Sequence, residues 1–304
     1  MIKKNKPHSI NSVTELHRIL SLPAPEHPLV SVIDLEKVER INAEDFPTVV
    51  FNFYSVWLEK DVKEKIRYGQ NFFDFDEGMM IFIAPGQVLS TINHGKINGG
   101  IGLIFHSDFI RNYPLAKTIN NYGYFSYAVN EALHLSEKEE DIIKSIMQNI
   151  SNEYRANIDK YSQDVIVSHI ELLLNYANRF YGRQFITRKA VNHDLLTRME
   201  QLLNLYFGKK VSLTKGLPTV DHLARELNLS PRYLSDMLRS LTGQNAQQHI
   251  HEKLVEKAKE YLTTTNLSVA EIAYELGFEH SQSFSKLFKR KTAFTPLEFK
   301  HSFN

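Results

Sequence analysis

The sequence predicts a two-domain α+β protein. Its N-terminal part reads as an antiparallel β-barrel or double sheet followed by a helical hairpin, and its C-terminal part as all-α with two helix-turn-helix units. Three observations carry this. Short apolar runs broken by turn signals fill residues 29–105. Apolar residues recur at three- to four-residue intervals over 136–180. Two C-terminal segments repeat each other at an offset of 49 to 50 residues.

Length and composition bound the alternatives. A chain of 304 residues, 42% hydrophobic and 23% charged, supports two cores of ordinary size. It has no run of 18 apolar residues and no signal-like leader, so the expectation is a cytoplasmic protein without a membrane span. It has no cysteine, which removes disulfides, thiolate metal sites and cysteine nucleophiles together. The net charge of +1 is unevenly divided. Residues 186–304 hold 17 Lys or Arg against 12 Asp or Glu, and residues 1–185 hold 19 against 23. The basic excess therefore sits at the C-terminal end, where a phosphate-binding surface would need it.

Residues 1–28 read as a polar arm ending in Pro23, Pro25 and Pro28. Residues 29–130 read as the β domain. Its apolar runs are Thr48–Val56, Met79–Ile83 and Gly100–Phe105, and Phe75-Asp-Glu-Gly78, Pro85-Gly-Gln87 and Asn93-His-Gly-Lys96 supply the turns. Residues 131–180 read as a helical hairpin. Glu137, Glu139, Glu140 and Asp141 suit a positive helix N-terminus, and Ile142, Ile143, Ile146, Met147 and Ile150 follow at helical spacing. Polar residues 181–192 read as a linker, leaving 193–304 as the all-α domain.

The repeat lies within 218–241 and 268–291. Leu223-Ala224 matches Ile272-Ala273, and Glu226-Leu227 matches Glu275-Leu276. After one inserted residue, Leu234-Ser235 matches Phe284-Ser285 and Leu238 matches Phe288. Each half has the logic of two helices crossing over a tight turn. Small Ala224 and Ala273 stand where the helices cross, and Asn228 and Gly277 tolerate positive φ in the turn. Ser230-Pro231 is a helix start, a capping hydroxyl followed by proline at the first helical position. A long helix over about 246–262 joins the halves, and Ser268 with Glu271 forms a capping box for the second.

With these motifs in order, residues 218–300 resemble the DNA-binding domain of the AraC/XylS family of bacterial transcription regulators. The resemblance rests on Glu252–Leu262, Ser268–Ala273, Gly277-Phe278, Phe284–Lys289, Thr295-Pro296 and Phe299. Three positions depart from the pattern: Ala293 stands for the usual glycine, Ser283 for tyrosine and Ala246 for proline. The family plan implies an N-terminal cupin-like β-barrel with a dimerisation helix, and Phe73–Pro85 loosely resembles a hairpin of that barrel. The resemblance also implies double-stranded promoter DNA as partner, a small-molecule effector, a homodimer and contact with RNA polymerase. No cofactor and no catalysis are implied.

The candidate base-reading residues are Arg232, Ser235, Asp236 and Arg239 in the first unit and Gln282, Ser285 and Lys286 in the second. Arginine pairs with guanine O6 and N7, and aspartate accepts from cytosine N4. Asp236 has the alternative of capping Arg232, and Arg239 that of touching phosphate alone. Lys289, Arg290 and Thr295 are phosphate candidates, and Thr295 has ordinary capping as its alternative. In the β domain, Phe51, Phe53, Tyr54 and Phe105 either line an effector pocket or fill the core. Ile166, Ile170, Leu173 and Leu174 form a stripe that pairs across a two-fold axis or packs on its own domain. His27, His94 and His106 do not make the H-x-H pattern of a cupin metal site, and Asp74, Asp76 and Glu77 read as a solvated turn.

Overall fold

The computed structural model describes residues 7–38, 48–59, 67–68, 71–72, 78–90, 99–156 and 159–302. They fall into two compact units, 1–184 and 185–304. The division lies inside the segment expected as a linker, and that segment is helical on both sides.

The first unit begins with strand β1 (His8–Ile10), helix α1 (Val13–Ile19) and β2 (Val30–Asp34). Then come β3 (Thr48–Phe51), β4 (Tyr54–Glu59), β5 (Arg67–Tyr68), β6 (Asn71–Phe72), β7 (Met79–Ile83), β8 (Val88–Ser90) and β9 (Gly100–Phe105). Short helices α2 (Ser107–Ile110) and α3 (Leu115–Thr118) and strand β10 (Leu133–His134) precede the long helices α4 (Glu137–Arg155) and α5 (Ser162–Thr187). Three strands form a sheet in the order β1-β3-β8, with β1 parallel to β3. Five form an antiparallel sheet in the order β10-β7-β4-β9-β2, and β5 pairs with β6.

The cupin-like barrel is not what forms. Among the described residues the strands make separate sheets, and none closes on itself. The larger sheet ends at β2 on one side and β10 on the other, and side chains from the helices terminate both edges. The Val32 N–H donates to Tyr154 Oη of α4 at 3.0 Å. The His134 N–H donates to Gln184 Oε1 of α5 at 2.8 Å, and Gln184 Nε2 returns a bond to Ala132 O. Edge groups satisfied in this way have no need of a further strand. The described strands make a five-stranded sheet, a three-stranded sheet and a two-stranded pair.

Alternation along the strands loads both faces of the larger sheet. One face carries Ile33, Ile83 and Ile104, which join Ile10 and Val49 of the small sheet, Leu16 of α1 and Phe53 of the bend before β4 in one core. The Trp57 ring lies on this face over Gly102, where a Cβ would come within 2.3 Å of the ring. The other face carries Tyr54, Phe82 and Phe105, which meet Tyr124, Phe125 and Tyr181 in a web of ring contacts. Arg183 ties the helical hairpin together by donating to Glu139 at 2.8 Å and to His134 O at 2.6 Å.

The second unit is all-helical: α6 (Lys189–Gly208), α7 (Ser212–Lys215), α8 (Val220–Leu227), α9 (Pro231–Thr242), α10 (Ala246–Thr264), α11 (Val269–Glu275), α12 (Ser281–Thr292) and α13 (Pro296–His301). Its core is the predicted one. Leu223, Ala224, Leu227, Leu234 and Leu238 are buried in the first half, Ile272, Ala273, Phe284 and Phe288 in the second, and Ile250, Leu254 and Ala258 of α10 between them.

Candidate nucleic-acid interface

The two helix-turn-helix units share their turn geometry and differ in their helix caps. In the first, Thr219 caps α8 by accepting from the His222 N–H. The chain then turns at Asn228, which takes the left-handed conformation at φ +57°, and the Leu229 N–H donates to Ala224 O at 2.9 Å. Ser230 caps α9 by accepting from the Tyr233 N–H, with Pro231 at the first helical position. In the second, Ser268 and Glu271 cap α11 reciprocally. The turn falls at Gly277, φ +91°, and the Phe278 N–H donates to Ala273 O, again at 2.9 Å. Helix α12 starts at His280 without a side-chain cap bond.

The repeat also runs beyond the recognition helices. The Thr242 hydroxyl donates to Leu238 O at 2.9 Å, and the Thr292 hydroxyl donates to Phe288 O at the same distance. Gly243 and Ala293 then both turn left-handed, at φ +78° and +67°. Asn245 caps α10 and Thr295 caps α13. The signal was present in the sequence as Thr-Gly against Thr-Ala, fifty residues apart. The family resemblance had marked Ala293 as a glycine position, and the alanine takes the left-handed conformation all the same.

The turn of the second unit is held from outside. Gly277 lies against the backbone of Gly216, so that a Cβ on Gly277 would sit 2.6 Å from the Gly216 carbonyl carbon. Around that contact the Ser212 hydroxyl donates to Glu275 O at 2.6 Å and Lys210 pairs with Glu275 at 3.3 Å. Tyr206 Oη donates to Gly216 O at 3.0 Å. The residues that precede the first unit thus brace the second.

Burial sorts the faces of the recognition helices. Helix α9 buries Tyr233, Leu234, Met237 and Leu238, and α12 buries Phe284, Leu287 and Phe288. Arg232 and Arg239 are exposed, and Ser235 and Asp236 are half-buried between them. These four line a shallow cleft of about 390 Å³ together with Asn245 and Gln247 from the start of α10. Asp236 accepts from Arg232 Nε at 2.9 Å through one oxygen and from Arg239 Nη1 at 3.0 Å through the other. On α12, Gln282, Lys286, Lys289 and Arg290 are exposed and Ser285 is half-buried. The cations of its last turn, Lys289, Arg290 and Lys291, suit the negative end of a helix. The Thr295 hydroxyl accepts from the Glu298 N–H, the capping alternative raised by the sequence.

The aromatic quartet of the first unit is divided. Phe51 and Phe53 stack at 5.2 Å in the core between the two sheets. Tyr54 and Phe105 stack at 5.2 Å on the opposite face of the larger sheet. Ile166, Ile170, Leu173 and Leu174 are buried inside the protomer, and the exposed apolar residues of that stretch are Tyr161, Val165 and Leu172. His27 meets Phe109 edge-on and accepts from the Leu29 N–H, and burial lowers its pKa. His106 caps α2. His94, Asp74, Asp76 and Glu77 lie outside the described residues. Among the described residues no three His, Asp or Glu side chains gather as a metal site would require.

Fold and exposed faces together define a double helix-turn-helix protein of the DNA-binding class. Residues 223–302 match the family model described as a helix-turn-helix domain. That match covers the two helix-turn-helix units and about a quarter of the chain. It is 28% identical over 137 residues to the HTH-type transcriptional activator RhaR of Escherichia coli and of Shigella boydii, which is 44% of this chain and 49% of the relative. The chain thus spans about half the length of the curated relatives it matches. Among solved structures it is similar to the C-terminal domain of the two-component response regulator yesN from Fusobacterium nucleatum. That match has 32% identity over 33% of this chain and 96% of that one, with a TM-score of 0.29. It is also similar to ToxT from Vibrio cholerae, at 15% identity over 90% of this chain and 97% of that one, with a TM-score of 0.30.

Proposed function

We propose that this chain regulates transcription by binding promoter DNA sequence-specifically, with α9 and α12 as its two recognition helices. The observation that carries this is the repeat of two helix-turn-helix units, with matching turn bonds and buried positions, on one connecting helix, each with a polar or basic outer face. Helix α10 has 19 residues and is therefore about 28 Å long. That is close to the roughly 34 Å between successive major grooves on one face of B-DNA. Arg232, Ser235, Arg239, Gln282, Ser285 and Lys286 face the bases, and Lys289 and Arg290 face phosphate. Thr295 adds a phosphate contact only through whatever capacity its capping bond leaves.

Regulation enters through residues 1–184, which have a core of their own and receive a signal such as a small molecule. Homodimerisation uses the outer face of α5, where Val165 and Leu172 are exposed, and the promoter-bound protein contacts RNA polymerase. Work on DNA places the protein in the cytoplasm. The test is binding of the full chain to genomic promoter fragments over a salt series. Affinity falls steeply with salt while remaining sequence-dependent. Binding that ignores sequence at every salt concentration sinks the proposal.

A further inference from the structure

We infer that Asp236 is a positioning residue, which holds Arg232 and Arg239 as a fixed pair of guanine readers three base steps apart. This rests on the reading of α9 as a recognition helix. Both Asp236 oxygens already accept charge-assisted bonds, at 2.9 and 3.0 Å. To accept from a cytosine N4 instead, the carboxylate would have to release one of its arginines. It also lies deeper than they do: its side chain is 17% exposed, against 45% for Arg232 and 52% for Arg239. The arginine tips therefore meet a groove first.

The spacing does the rest. Seven residues are just under two turns of α-helix, so Arg232 and Arg239 share a face with their backbones about 10.5 Å apart along the axis, and the shared carboxylate draws the guanidinium groups toward each other within that span. Three base-pair steps of about 3.4 Å span the same distance. A guanidinium carries five N–H donors, so a bond to one carboxylate oxygen does not exhaust its capacity for guanine O6 and N7. An arginine held at one edge also loses less side-chain freedom on docking than one that swings in solvent. The second unit has no such clamp. Lys286 stands at the position of Asp236, Gln282 at that of Arg232, and α12 contains no acidic residue. The fixed pair belongs to the first unit alone.

The test selects binding sites for the full chain from random duplexes, then measures affinity for every single-base variant of the selected site. The wild-type and the Asp236→Asn and Asp236→Ala proteins are compared, with melting curves for each. The wild-type site contains two guanines three steps apart in the first unit's half. Asp236→Asn, which keeps the shape and loses the charge, lowers the preference at both guanines together by roughly tenfold. It raises affinity for random DNA, because one negative charge near the phosphates is gone and the arginines are released to them. A merely structural role would instead lower affinity for all sequences. That result overturns the inference, as does a change confined to one cytosine-bearing pair or an unchanged profile. If the wild-type protein selects no site at all, the proposed function fails. If it selects a site without the guanine pair, only the positioning role fails.

Discussion

The two helix-turn-helix units share a backbone and differ in what fixes it. Leu229 and Phe278 close their turns with equivalent hydrogen bonds, Thr242 and Thr292 close their recognition helices, and the buried positions correspond. The first unit takes its turn with Asn228, caps its helices with Thr219 and Ser230, ends at Gly243 and clamps its outer face with Asp236. The second takes its turn with a braced Gly277, caps α11 and then α13 with carboxylate-containing boxes, ends α12 at Ala293 and carries only cations on its charged outer positions. One frame therefore carries an outer face whose arginines share one carboxylate and another whose charged residues are all cations. The difference lies in side chains that the core does not constrain.

The turn glycine is where the units should separate most. Gly277→Ala places a Cβ 2.6 Å from backbone that cannot rotate away, at a φ of +91°. Loss of about 3 kcal/mol or more in denaturant unfolding of the second unit is expected. Asn228→Ala meets only the left-handed penalty and should lose about 1 kcal/mol. Equal losses at the two sites would show that the Gly216 brace is not the cause.

DNA binding should divide next. Arg232→Ala is expected to cost roughly tenfold in discrimination at particular base pairs of the first half-site. Lys289→Ala should weaken all sequences about equally and lower the salt slope by about one. Base-specific loss on Lys289→Ala would move that lysine from phosphate to base reading.

The helix ends allow a reciprocal exchange. Ala293 holds φ +67° with a side chain that favours negative φ, and Gly243 holds φ +78° with open space where a Cβ would go. Ala293→Gly should stabilise the domain by about 1 kcal/mol, and Gly243→Ala should destabilise it by a similar amount. Thermal melts of both variants check the sign. A destabilised Ala293→Gly would mean that the alanine methyl makes a contact worth more than the strain.

The smallest expected effect is acid sensitivity. Backbone and side-chain bonds from Ser268 and Thr295 hold the Glu271 and Glu298 carboxyls below their usual 4.5. A carboxylate whose folded pKa is depressed stabilises the fold above its unfolded value, and that stability is lost as the pH falls through the folded one. The hydroxyl caps of the first unit do not titrate. Amide exchange followed downward from about pH 5 should therefore show α11 and α13 losing protection before α8 and α9. Simultaneous loss in all four helices would break the comparison.

The C-terminal domain was legible because its elements are local. Ser230-Pro231 starts a helix whatever surrounds it, and Val220, Leu223, Ala224 and Leu227 mark one stripe by spacing alone. The side-chain state of the candidate site was less legible. Asp236 was open as a base acceptor or an arginine partner, and only rotamers settled on one helix show both its oxygens engaged. In the first unit, β4, β7 and β9 of the larger sheet could be read from apolar runs between turn signals, but the split of Thr48–Val56 between two sheets, the strand at Leu133–His134 and the closure of the sheets could not. Tyr154 and Gln184, which terminate the sheet edges, lie 122 and 50 residues from the groups they satisfy. The same distance problem affected Ile166, Ile170, Leu173 and Leu174. Their periodicity announced a buried stripe without saying whether the burying surface belonged to the same chain.

What the sequence by itself determined is the presence of two helix-turn-helix units, the caps at Ser230 and Ser268 and most of the core, since these follow from propensity and spacing within about twenty residues. Tertiary structure alone decided that the described strands of the β domain form separate sheets rather than a barrel and that Gly216 braces Gly277. It alone decided that the aromatic quartet is split across a sheet. Each of these depends on which distant groups meet, and short-range spacing carries no information about that.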